Sequence, residues 1–74
     1  MTNELVDVVR ARAFVASGTG RAIRKAARLS LAELGQALGV DQSTVYRWET
    51  GERTPRAELA VRYAGLLREL MSAR

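Results

Sequence analysis

Leu34 and Leu38, Val40, then Val45 and Trp48 surround Gly39, and this spacing constrains the chain more than any other feature. Leu34 and Leu38 are four residues apart, so they share one face of a helix. Val45 and Trp48 are three apart and make a matching face on the next helix. Gly39 falls where the first helix must stop, because glycine enters the left-handed C′ conformation without strain. Asp41 can then cap the second helix by accepting a backbone N–H. Val40 plugs the corner. The stretch Leu31–Gly51 therefore predicts two short helices crossing steeply over a tight turn.

The flanking sequence adds three more helices. Asn3 can cap a first one, with Glu4 in its first turn. Leu5, Val8 and Val9 begin an apolar stripe that Val15 and Ala16 continue. Ser17-Gly18-Thr19-Gly20 breaks it. The next helix turns Ile23, Ala26 and Ala27 inward and carries Arg21, Arg24, Lys25 and Arg28 on its other face. Ser30 with Glu33 is a capping-box signature for the first central helix. Gly35 lies mid-helix, which costs about 1 kcal/mol relative to Ala. Close approach of the two central helices accounts for it: Ala is expected to be tolerated there and anything larger is not. Gly51 ends the second central helix. Thr54 caps the last one and Pro55 suits its first position. Leu59, Tyr63, Leu66 and Leu70 then repeat at helical spacing, with Leu67 and Met71 beside them. The second half of that stripe has two uses: pairing with a second copy, or folding back on the first helix.

The 74 residues form one all-α domain with expected helices at 3–16, 20–28, 31–38, 42–50 and 55–72. Residues 1–19 are an additional helix and turn, either packing across the core or serving as an arm for a partner. Residues 20–74 hold the central motif and the long last helix. There is no Cys and no His, so the usual zinc ligands are missing and His-based acid–base or nucleophile chemistry is excluded. No metal, cofactor, small-molecule substrate or enzymatic reaction is implied. No apolar run approaches a membrane span. Glu4 and Asp7 stand where a signal peptide would be basic and then apolar, so a cytoplasmic location is expected. Twelve basic residues against eight acidic, a net charge of +4, fit a polyanionic partner and equally an ordinary basic soluble protein.

The central stretch resembles the phage-repressor and Cro-like helix-turn-helix family, the XRE type, over roughly residues 20–70. Gly39 matches the turn glycine, and Leu34, Leu38, Val40, Val45 and Trp48 match the five core positions. Trp48-Glu49-Thr50-Gly51-Glu52-Arg53-Thr54-Pro55 is similar to the family's W-E-x-G-x-R-x-P run. Two positions depart from the pattern: Gly35 stands where Ala is usual, and Leu31 where Gln is often found. The resemblance implies a five-helix, lambda-repressor-like fold and sequence-specific binding of a double-stranded DNA operator. It also implies an ion pair between Arg24 and Glu49.

With Val45 and Trp48 inward, Gln42, Ser43, Tyr46 and Arg47 point outward. On composition alone this is a solvated polar face. Within the motif it becomes a base-reading face, because the helix N-terminus enters the major groove. Gln pairs with adenine and Arg with guanine through two hydrogen bonds each. In the resembling family the positions of Gln42, Ser43 and Arg47 commonly contact bases. Tyr46 has three open uses: a sugar-phosphate, a thymine methyl, or plain surface. Thr44, Arg53, Arg56 and Lys25 are expected on phosphates. The role implied is transcriptional repression by a small Cro-like regulator that occupies an operator, a homodimer being one form. The alternative is an antitoxin whose outer helices hold a toxin and whose DNA binding serves autoregulation.

Overall fold

The computed structural model describes residues 3–73, without the side chains of Asn3, Glu4 and Val15. The expected Asn3 cap and the Val15 part of the first stripe thus lie outside the described side chains. Five helices follow one another: α1 (Asn3–Ser17), α2 (Thr19–Ala26), α3 (Leu31–Leu38), α4 (Gln42–Glu49) and α5 (Ala57–Ser72). No strand occurs among the described residues.

The central turn forms as its chemistry requires. Ser30 Oγ accepts from the Glu33 N–H at 3.0 Å, and the Ser30 N–H donates to Glu33 Oε1 at 2.8 Å, closing a capping box on α3. Gly39 ends α3 at φ 74°, in the left-handed region. The Val40 N–H then donates back to the Gly35 carbonyl at 2.9 Å. Asp41 caps α4 through the Ser43 N–H at 2.9 Å.

One expectation fails at this corner. A Cβ on Gly35 would stand 2.7 Å from the Val40 carbonyl oxygen and 3.3 Å from the Gln42 nitrogen. The close approach is to the backbone of the turn, which cannot swing aside as a side chain can. Alanine therefore does not fit at Gly35.

Leu34, Leu38, Val45, Trp48, Tyr63 and Leu67 form the main core, with Phe14, Ile23, Leu31, Val40, Leu59, Leu66 and Leu70 packed around it. Trp48 and Tyr63 rings meet with centroids 5.2 Å apart and planes tilted by 39°. The second half of α5 thus folds back on α1 and α2, and its leucine stripe is core.

A smaller cluster of Val8, Ala11, Ala60 and Ala64 joins α1 to α5. It corrects the expected stripe on α1. Leu5 and Val9 are 65% and 60% exposed, while Val8 and Ala11 are buried. Ala60 and Ala64 leave a flat strip on α5, and Val8 and Ala11, spaced three apart on one face of α1, pack against it.

The inward face of α2, its last residue and the start of α5 also differ from expectation. In α2 the inward face centres on Gly20 and Arg24, and Ala26 is exposed. Hydropathy could not show this, because Arg24 is buried as one half of an ion pair. Helix α2 stops at Ala26 instead of residue 28, where Arg28 turns to φ 60° and the Leu29 N–H closes on the Arg24 carbonyl at 3.1 Å. Helix α5 starts at Ala57, with Arg56 at its N-cap position and no side-chain cap. Thr54 and Pro55 therefore do not cap and open α5 as expected. Pro55 is fully buried in the corner before the helix, and a residue preceding proline is held extended, so helical geometry begins only beyond it.

Candidate nucleic-acid interface

Helix α4 is held at both ends. Its N-terminus carries the Asp41 cap. Ser43 donates both its N–H and its hydroxyl to Asp41 Oδ2, and these bonds lower the Asp41 pKa below its ordinary value, so the cap stays charged. Its C-terminus carries Glu49, which accepts from Arg24 Nε at 2.6 Å and from Arg24 Nη2 at 3.0 Å. Arg24 Nη1 also donates to the Leu29 carbonyl at 2.8 Å. The two side chains are only 10% and 2% exposed. This forked pair ties α2 to the end of α4, between the two residues that the resemblance pairs. The hydrogen bond to Glu49 raises the Arg24 pKa above its already high value.

Between these anchors Val45 and Trp48 are buried, so α4 cannot rotate about its axis. Gln42, Ser43, Tyr46 and Arg47 are all exposed, on the side turned away from the core. Thr44 is half-buried. It lines one shallow groove with Arg47, Arg53 and Arg56, whose floor includes Trp48, Pro55 and Leu59. The Arg53 N–H donates to the Arg47 carbonyl at 3.1 Å, so the loop after Gly51 folds back against the end of α4. Three arginines thus line one groove beside α4. Lys25 is exposed on α2 and does not line this groove. The floor residues Pro55 and Leu59 were not among the expected site residues. Their apolar character signals burial and says nothing of what they support.

A capped, ion-paired α4 that crosses α3 over the Gly39 turn is the second helix of a helix-turn-helix, the fold of DNA-binding regulators. A helix-turn-helix family model matches residues 21–69, and the chain belongs to that family, the XRE-type, Cro-like helix-turn-helix proteins. No curated protein and no solved structure shows significant similarity to the chain. The match begins after α1, which stands outside it. No described helix is long and apolar enough to cross a membrane, and the described residues hold no cluster of acidic residues fit for a metal ion.

Proposed function

We propose that this chain is a Cro-like or repressor-like transcriptional regulator of the cytoplasm that occupies an operator as a homodimer, with α4 in the major groove. The observation that carries this reading is the exposed row Gln42, Ser43, Tyr46 and Arg47 on a helix whose two ends are fixed. Gln42 and Arg47 supply bidentate contacts to adenine and guanine. The Ser43 hydroxyl already donates to Asp41, so toward a base it acts as an acceptor. Tyr46 offers its ring to a thymine methyl or its hydroxyl to the backbone. Thr44, Arg53 and Arg56 border the groove beside the row and suit phosphates. Lys25 serves as a more distant phosphate contact from α2.

The test is selection of binding sites from random duplex DNA. A palindrome with half-sites one helical turn apart, about 34–36 Å, is expected for a symmetric dimer. Enrichment of no sequence overturns the reading. The exposed apolar side chains of α1 suit an antitoxin as well as a regulator. Copurification with a small toxin would favour that alternative.

A further inference from the structure

We propose that the exposed apolar face where α1 meets the start of α5 is the surface through which two copies of this chain pair. Leu5, Val6 and Val9 are 65%, 43% and 60% exposed on consecutive turns of α1. Leu5 continues into a groove of about 510 Å³ whose other wall is α5, with the half-buried Val61 beside it. Isolated exposed apolar residues are ordinary, but several grouped on one helix next to an apolar groove mark a contact surface. The leucine stripe of α5 packs against the core, Leu67 fully and Leu59, Leu66 and Leu70 in part.

Charge selects the occupant. Glu58 and Arg62 stand one turn apart on α5 and border the groove. Both are exposed, and the single salt bridge among the described residues joins Arg24 to Glu49 instead. A rim of one sign would suit an oppositely charged partner. This rim holds both signs on one helix, and a two-fold axis across the groove sets the two α5 helices antiparallel. Glu58 of each copy then meets Arg62 of the other, so the surface is complementary to itself.

The pairing rests on the dimeric reading proposed above and assigns it a surface that lies largely outside the family match.

Sedimentation equilibrium of the full chain and its variants tests it. The wild type should show concentration-dependent dimerisation. Leu5→Glu and, separately, Val9→Glu should each raise the dimer dissociation constant at least ~100-fold, since a two-fold contact loses each apolar side chain twice. Both positions are exposed, so helical content by circular dichroism should be unchanged. Glu58→Arg or Arg62→Glu alone should weaken pairing ~10-fold by opposing like charges, and the two together should restore it to within ~3-fold. A wild type that stays monomeric at high micromolar concentration overturns the proposal. So does a dimer that survives Leu5→Glu, or a double reversal as weak as the single ones. A duplex carrying one half-site separates the two readings. Leu5→Glu should bind it as the wild type does, and a loss there overturns the pairing role by placing the face against DNA. Failure of the wild type to bind that duplex strikes the operator reading, while sedimentation still decides the pairing.

Discussion

Ser43 donates its hydroxyl proton to Asp41, so a base facing it meets lone pairs and no donor. Arg47 has no such commitment and stands one turn further along the exposed row. Arg47→Ala should cost about 1–3 kcal/mol on the best site and relax the preference at one base position, a guanine. Arg53 leaves the backbone beyond Gly51 and borders the groove from the loop. Arg53→Ala should weaken all sequences alike and lower the salt slope by about 1. Titrations against the best site and its single-base substitutions, at several salt concentrations, distinguish the two. If Arg53→Ala shifts the base preference and Arg47→Ala does not, α4 lies in the groove differently. Gly35 gives a stability test at the same scale. Helix propensity alone would make Gly35→Ala stabilising by about 1 kcal/mol. Overpacking against the Val40 carbonyl costs about 1–3 kcal/mol, and a 2.7 Å contact with backbone belongs at the upper end. A net loss is therefore expected by thermal melting, with Gly35→Val unfolded. A higher melting temperature for Gly35→Ala would refute the close approach.

Helices α2 and α4 are joined by one forked ion pair. Removing one side leaves the other charge buried, at a cost of about 3–5 kcal/mol. That is comparable to the whole stability of a domain this small, about 3–5 kcal/mol. Arg24→Ala should therefore melt far below Arg21→Ala, because Arg21 is exposed. A double-mutant cycle with Glu49→Gln should show coupling of about 0.5–3 kcal/mol. Additive losses would mean that the pair does not hold α2 on α4. The N-terminal caps of α3 and α4 carry the acid dependence of the motif. Hydrogen bonds from Ser30 hold Glu33 below its ordinary 4.5, and those from Ser43 hold Asp41 below its ordinary 3.8. A carboxylate lowered in the folded state contributes fully above its ordinary value, and that contribution is lost as pH falls through the lowered one. Helical content of the motif should thus hold at pH 5 and fall on further acidification. Glu33→Gln should flatten its share of that loss.

Across the whole molecule, Tyr63 ties α5 to the motif. Its ring packs on Trp48, and its hydroxyl is buried with no hydrogen-bond partner among the described residues. Burial, with a smaller effect from the Glu49 charge, pushes its pKa from 10.0 up to about 12. The folded state therefore holds this proton where the unfolded chain releases it, and stability should decline between pH 10 and 12. Tyr63→Phe should lose that decline without a penalty at neutral pH, because the hydroxyl has no bond to give up. Denaturant titrations of both proteins across that range check it, and an unchanged alkaline slope in the Phe variant would refute it. Salt dependence reports on the DNA surface as a unit. Four phosphates neutralised per chain would give a log–log slope near −3.6. A flat response would remove DNA as the main ligand.

The sequence by itself determined the motif: the apolar spacing around Gly39, the Ser30–Glu33 box and the Asp41 cap are local chemistry, complete within one or two turns of chain. The outward row on α4 was legible for the same reason, since two inward residues settle the rotation of a short helix. The Arg24–Glu49 pair bridges distant segments, and only likeness to a known family pointed to it. What remained was decided by packing between segments far apart in the chain. The burial of Ala11 in place of Leu5 and Val9 depends on the flat Ala60–Ala64 strip of α5, more than forty residues on. The exclusion of a methyl group at Gly35 depends on where the turn's backbone passes, and Pro55 is buried in the corner before α5 instead of opening the helix. Hydropathy ranks a residue's wish for burial, but the face of α1 that turns to α5 chooses among residues that share it: Val8 is buried, while Val9, the same residue type, is 60% exposed.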